Sequence, residues 1–470
     1  MLLVRGGTIV DATGTAAGDV LIDGERIAAV GEGLDPTGHQ VIDAAGALVV
    51  PGAIDPHTHF DLPVGTTVSA DDFGSGTLAA ACGGTTCVVD FAGAGREPPD
   101  EALRVWHAKA EGRAVIDYGF HLTVTAVPED PAEAEGLFRW FALQGVTSVK
   151  LYLAYPERLM VDPATLERAL VAAKRIGVLV CVHAEDGSDA DRRTRQLLAA
   201  GRTDPSALAL ARPPEVEAAA VRLASGLAER ATAPLYVVHL SSAAGLAEVR
   251  AARQRHVRVL AETCPQYLYL TDRSLRTSGV SGPTQEAADF VCTPPPRTDA
   301  DREALWAGLA DRDLDVVATD HCPFTRDARR RGTKAGGAHW RDFTEIPGGL
   351  PGVETRLSLV YQGVREGRFG PERWVELVSS APARLFGLSR RKGRLAPGMD
   401  ADVVVFDPTA TKRLTAGDLH MRTDHSPYAD LTVTGWPAVT IVRGRVVARG
   451  GEPADAEPGW GRFVPRERTG

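Results

Sequence analysis

Ser148-Val149-Lys150-Leu151-Tyr152-Leu153 is an apolar run of strand character with a lysine at its centre. A helical candidate follows at 163–176, and a second apolar run then closes in Val180-Cys181-Val182-His183-Ala184-Glu185. Strand, helix and strand in that order make a βαβ unit, which needs a parallel sheet. The unit repeats outward in both directions. Strand-like runs lie at 48–54, 85–91, 118–126, 148–155, 177–183, 234–241, 257–263 and 315–319. Helical candidates lie between them at 75–82, 100–112, 131–144, 163–176, 214–230, 244–255 and 301–310, and two more follow near 353–366 and 371–386. This alternation predicts an α/β fold, a (β/α)8 TIM-like barrel over 51–388. No glycine-rich dinucleotide fingerprint or phosphate-cradling G-x-x-x-x-G-K-[ST] loop opens any of the helices, so an open nucleotide-binding sheet is the weaker alternative.

The two ends of the chain read differently from the middle. Gly7-Thr8-Ile9-Val10 and Asp19-Val20-Leu21-Ile22 are short strands, and Asp23-Gly24 between apolar runs signals a hairpin. Asp402-Val403-Val404-Val405-Phe406 and Val439-Thr440-Ile441-Val442 repeat the pattern near the far end. Residues 1–50 and 389–451 are therefore expected to build one small β-sandwich domain from both chain ends, leaving 452–470 as a C-terminal tail.

With 44% hydrophobic and 24% charged residues, the composition excludes bulk disorder. A net charge of −9 argues against nucleic acid or an anionic membrane as partner. No apolar stretch approaches the ~20 residues that span a bilayer. The opening Met1-Leu2-Leu3-Val4-Arg5-Gly6-Gly7 meets a charge and two glycines before a signal-peptide core could form, so the expected compartment is cytoplasmic. The cysteines at 82, 87, 181, 264, 292 and 322 form no C-x-x-C pair and read as reduced, buried small residues.

Polar residues gather at the C-terminal ends of the strands, where barrel active sites lie. In Asp55-Pro56-His57-Thr58-His59 the two histidines are two apart on a strand, face one side and can chelate one ion. A lone buried histidine is usually a hydrogen-bonded core residue; a pair at this spacing is more often a ligand pair. His183 and His239 each stand at the outgoing end of an apolar strand, and Thr319-Asp320-His321 adds a carboxylate that is costly there unless paired or metal-bound. The set is a metal-site composition best suited to zinc. Lys150 inside a barrel is snorkelling, salt-bridged or functional. Burial beside cations would leave it a neutral amine, able to take up carbon dioxide as an anionic carbamate that can bridge two metals.

Together with Pro51-Gly52-Ala53-Ile54 ahead of the histidine pair, Asp71-Asp72-Phe73-Gly74-Ser75-Gly76-Thr77, Gly83-Gly84-Thr85-Thr86, Arg212-Pro213-Pro214-Glu215, Glu262-Thr263-Cys264-Pro265-Gln266-Tyr267 and Cys322-Pro323-Phe324, these segments span nearly the whole chain. The chain resembles the cyclic amidohydrolases, most closely the dihydropyrimidinase/D-hydantoinase branch. The resemblance implies a barrel with a β-sandwich side domain and two zinc ions per subunit, bridged by N6-carboxylated Lys150. It makes His57, His59, Lys150 and Asp320 ligands of one zinc, and Lys150, His183 and His239 ligands of the other. Tyr155 corresponds to a tyrosine that hydrogen-bonds the substrate carbonyl. Thr293 takes the place of a usual serine whose ring contact is through main chain. Gly348, in Ile346-Pro347-Gly348-Gly349, takes the place of a common asparagine, which leaves the ring substituent open. The basic stretch Arg326–Lys334 reads as a solvated loop or subunit contact ahead of a site for an acidic substrate.

The reaction so implied is opening of a hydantoin or dihydropyrimidine ring to an N-carbamoyl amino acid by a metal-bridging hydroxide. Tyr155 would steady the oxyanion, and Asp320 would carry the proton to the leaving nitrogen. Dihydroorotase and allantoinase are the neighbouring alternatives. Dihydroorotases typically place an arginine after the paired histidines, where this chain has Phe60-Asp61-Leu62. The non-enzyme alternative is a metal-free scaffold relative, and such proteins usually lose ligands, whereas all six ligand positions are filled here. The resemblance also implies a homo-oligomer, a tetramer, with the tail around Gly459-Trp460-Gly461-Arg462 reaching a neighbouring subunit.

Overall fold

The computed structural model describes residues 1–95, 97–156, 158–276, 285–334 and 341–468. Helix Pro163–Ile176 shows how locally its elements are decided. The Asp162 carboxylate accepts from Thr165 N at 2.6 Å, Pro163 sits in the first turn where no amide donor is needed, and Gly177 ends the helix at φ 82°. Leu166, Ala169, Leu170, Ala173 and Ile176 turn one face inward.

Eight parallel strands follow the expected order: Ala53–Thr58, Thr85–Ala92, Asp117–Thr123, Ser148–Tyr152, Leu179–His183, Leu235–Val237, Val259–Thr263 and Val316–Val317. They form the TIM-like barrel. The eighth strand is too short to pair along the first, so side chains complete the seam. Asp55 accepts from Thr319 N at 3.1 Å and Thr319 Oγ1 at 2.6 Å. Arg356, fully buried, donates to the carbonyls of Ile54 and Val317, each at 2.9 Å, and a single bridge pairs Thr58 with His321.

The expected strand at 48–54 proves to be two. Leu48–Pro51 pairs with Val403–Arg413 in the terminal sheet, and Ala53–Thr58 opens the barrel. A Cβ at Gly52 would lie 2.1 Å from Thr86 Oγ1, so only glycine fits where the chain passes between the sheets. Expected helix 371–386 is broken by a π-helical turn at Glu376–Ser380. Among the helices that stand where none was expected are Gly187–Ala199, Ala207–Ala211 and Pro265–Tyr269.

Both chain ends share one nine-stranded sheet, joined where Leu48–Pro51 lies between Leu2–Asp11 and Val403–Arg413. The sheet folds over its own core. Val4, Val20, Ile22 and Ile27 pack with Met399, Val403, Val405 and Ile441, and Ile27 N donates to Met399 O across the fold. The tail runs back under the barrel of its own chain. Tyr118 N donates to Arg462 O, Val464 N to Tyr118 O and Arg466 N to Gly145 O, while buried Arg466 reaches Ser148 Oγ at 2.7 Å. All six cysteines are buried and unpaired. Among the described residues no helix is long and apolar enough to cross a membrane.

Candidate active site

The outgoing ends of the barrel strands bring their polar residues to the floor of one cavity of about 360 Å³. His59, Lys150, Tyr155, His183, His239, Thr293, Asp320 and Gly348 all line it, and His57 lies behind them, fully buried. Asp320 Oδ1 is 3.0 Å from His57 Nε2 and 3.1 Å from His59 Nε2. Lys150 Nζ is 3.1 Å from His57 Nε2 and 4.2 Å above the Phe91 ring. The His183 and His239 rings meet edge to face at 4.5 Å, and His239 stacks 5.5 Å from His57. The set is thus one cluster with two halves, touching at His57 and His239.

Three of these residues hold unusual backbone: φ is 64° at Tyr155, 38° at His239 and 52° at Asp320. A non-glycine residue there is strained, and such strain persists where the surrounding structure imposes it. The kink at His239 explains why the expected strand 234–241 stops at Val237. The kink at Asp320 likewise follows the two-residue eighth strand.

The donor chemistry suits divalent ions. Burial holds His59 down to about 4, and it also depresses His183 and His239, so these imidazoles stand neutral. His57 goes the other way: burial and Lys150 oppose its proton, but Glu262 and Asp320 outweigh them. Burial lowers Lys150 against the pull of Asp320 and Glu262. Burial would raise Asp320, yet His57 and His59 hold it well below the usual carboxylate range. Among the described residues, Nδ1 of His59 and Nδ1 of His239 are buried without a hydrogen-bond partner, and His57, His59 and Asp320 offer ligand atoms within 4.8 Å of one another. A second acidic cluster, Asp117, Asp400 and Asp402, is already filled by Lys392 Nζ at 2.7, 3.2 and 2.6 Å.

Behind the cluster stand carboxylates to which the sequence pattern assigned no role. Glu262 pairs with His57 Nδ1 and accepts from Tyr236 OH at 2.7 Å and His239 N at 3.1 Å. Glu185 accepts from His183 Nε2 at 2.7 Å. Each directs the other ring nitrogen toward the cavity. Both lie in quoted motifs, at Val182-His183-Ala184-Glu185 and Glu262-Thr263-Cys264, but only their depth (both essentially unexposed) shows what they do.

The basic stretch, expected as a solvated loop or subunit contact, keeps Arg326, Arg330, Arg331 and Lys334 exposed but is mostly a helix and buries one cation. Arg326–Arg331 is a helix, and Arg329 is fully buried, donating to the carbonyls of Ala288, Val291, Pro347 and Gly349. It ties two wall segments of the cavity together.

The profile of the amidohydrolase family matches residues 48–447. The chain belongs to the amidohydrolase family. Within that family it falls in the D-hydantoinase/dihydropyrimidinase branch. It is 43% identical to a D-hydantoinase of Geobacillus stearothermophilus over 100% of this chain and 97% of that protein. It is 41% identical to a D-hydantoinase of Streptomyces coelicolor, covering 99% of this chain and 97% of the relative. The crystal structure of dihydropyrimidinase from Brevibacillus agri superposes with a TM-score of 0.94 at 41% identity, over 100% of this chain and 99% of that one. Against this amidohydrolase frame the side sheet and barrel need no rearrangement.

Proposed function

We propose that this amidohydrolase opens hydantoin or dihydropyrimidine rings by hydrolysis, releasing an N-carbamoyl amino acid. What carries the reading is the convergence of four buried imidazoles, Asp320 and Lys150 on the cavity that also holds Tyr155. His57, His59 and Asp320 are the residues to hold one zinc ion, and His183 and His239 the other. Lys150, whose amine burial shifts toward the neutral form, would serve as a shared ligand once carboxylated. When bound, such ions lower the pKa of water toward ~7 and polarise a carbonyl oxygen.

The protein's own groups do the rest. The Tyr155 hydroxyl donates to the ring carbonyl oxygen as negative charge gathers there. Asp320, ionised and strained toward the cavity, accepts the proton of the attacking water and passes it to the departing ring nitrogen. Thr293 and Gly348 offer main-chain groups to the ring edge. Phe60-Asp61-Leu62 provides no carboxylate clamp: Phe60 is buried against Phe73, and Asp61 faces Lys109 at 3.6 Å. A neutral ring is therefore favoured over dihydroorotate. Assembly as a cytoplasmic homotetramer belongs to the same reading, and light scattering on the purified protein tests the assembly.

The deciding experiment offers dihydrouracil, 5-substituted hydantoins, allantoin and dihydroorotate to zinc-loaded protein and measures N-carbamoyl product. Turnover of hydantoins or dihydrouracil, lost on chelation, is expected. Turnover of allantoin alone would overturn the reading.

A further inference from the structure

Tyr155 and His183 belong to different parts of the site, one facing the substrate carbonyl and the other a metal. One side chain touches the machinery of both. Arg212 Nη1 donates to Glu185 Oε2 at 2.7 Å, the same oxygen that accepts from His183 Nε2 at 2.7 Å. Its guanidinium also lies 5.2 Å from the centre of the Tyr155 ring, which in turn sits 5.3 Å from the His183 ring. Glu185 is wholly buried, and among the described residues its second oxygen has no hydrogen-bond partner. Its orientation therefore rests on two contacts, and Arg212 is one of them.

Arg212 is itself held on both sides. Its amide donates to Leu208 O at 3.0 Å, its carbonyl accepts from Arg297 Nη1, and Pro213 and Pro214 stiffen the chain behind it. Arg297 Nε continues to Ser241 Oγ at 3.0 Å, and Ser241 bonds buried Glu217 at 2.8 Å, two residues beyond His239. The His183–His239 half of the site thus stands on a buried polar network through Arg212, Arg297 and Glu217. Asp55 and Arg356 support the His57 half, and Glu262 serves both, pairing with His57 and accepting from His239 N at 3.1 Å. A planar fork is what these contacts require: one edge to bond a carboxylate and one face to cover an aromatic ring.

We propose that Arg212 is a positioning residue that couples the carbonyl-holding Tyr155 to the metal-holding His183, acting through Glu185 on one side and the phenol ring on the other. This rests on the proposed hydrolase reading. It adds that the donor and one half of the metal site are linked by one guanidinium: Arg158 also lies 5.3 Å from the Tyr155 ring, but the bond to Glu185 comes from Arg212.

The test combines metal content with a double-mutant cycle. Arg212→Met is expected to lower kcat by about 10- to 100-fold and to bring bound zinc from two ions per chain toward one. Arg212→Lys keeps the charge beside Glu185 but has no face for the ring. It is expected to retain zinc while kcat still falls, and it serves as the variant of record should the methionine form not fold. Combined with Tyr155→Phe, either Arg212 variant is expected to add less than its single effect, because both act on one ring. Strictly additive losses in kcat, or an Arg212→Met protein with two zinc ions and kcat within about threefold of wild type, would overturn the coupling. A wild-type chain that hydrolyses none of the offered rings would instead sink the function reading, and zinc content of the same variants would still decide the inference.

Discussion

Gly348 and Gly349 stand side by side in the cavity wall under opposite constraints. A Cβ at Gly348 would meet nothing closer than Thr293 Oγ1 at 3.6 Å, an ordinary contact, whereas one at Gly349 would sit 2.3 Å from Cys322 O at a φ of 147°. Gly348→Ala is therefore expected to leave the melting temperature unchanged and to show its effect only in which ring substituents are accepted. Gly349→Ala is expected to cost about 2 kcal/mol or more in denaturant unfolding, since both sterics and backbone oppose it. Equal stability of the two variants would contradict that account. Asp320 permits a cleaner separation of stability from chemistry. Its φ of 52° is one that asparagine also accepts. Asp320→Asn is thus expected to fold with an undiminished melting temperature while kcat falls by about 10²- to 10⁴-fold, because the amide can take no proton. Substantial turnover of hydantoins by that variant would assign the proton transfer elsewhere.

At the scale of elements, Arg329 shows what a short helix contributes to a distant wall. Its guanidinium bonds carbonyls of Ala288 and Val291 on one segment and Pro347 and Gly349 on another. Arg329→Met releases both segments, and kcat/KM should fall by about 10²-fold, chiefly through KM, as the ring loses its edge contacts. A fall confined to kcat would be inconsistent with a wall-holding role. None of this was legible from the string of basic residues, because the acceptors are backbone carbonyls far along the chain. The strands were legible, because apolar runs punctuated by one histidine, lysine or aspartate carry their meaning locally. Helix Pro163–Ile176 was legible to the residue, since Asp162, Pro163 and Gly177 mark its ends. Helix Gly187–Ala199 was not. It buries little beyond Gly187 and Ala190, so its apolar stripe is nearly missing, although Asp186 caps it through Ser188 N and Asp189 N. The roles of Glu185, Glu262 and Arg212 lay hidden for the same reason as that of Arg329: they are set by partners, not by spacing.

For the molecule as a whole, barrel, terminal sheet and tail meet at one buried ionic cluster. Asp117 begins the third barrel strand, Asp402 leads into Val403–Arg413, and Arg462 belongs to the tail. Lys392 Nζ contacts Asp117, Asp400 and Asp402, Arg443 Nε lies 3.0 Å from Asp117, and Arg462 N donates to Asp117 at 3.0 Å. Burial opposes both charges. Even so, Asp117 and Asp402 raise Lys392 well above its ordinary value, and Lys392 with Arg443 pulls Asp117 below its own. The signs fix the window. The Lys392 contribution is complete below 10.5 and fades only as pH rises through its raised folded value. The Asp117 contribution is complete above 3.8 and fades as pH falls through its lowered one. The contributions of Lys392 and Asp117 are therefore flat around neutrality, while burial raises Asp402 and sets it against them as pH rises. Lys392→Met leaves buried carboxylates unpaired and is expected to cost about 3–5 kcal/mol in urea unfolding near pH 7. In that variant the stranded carboxylates prefer to be protonated, so the deficit relative to wild type should shrink as pH falls toward about 5. A deficit that stays constant over that range would mean that Lys392 acts by packing alone, and that the three parts of the chain are not held together by charge.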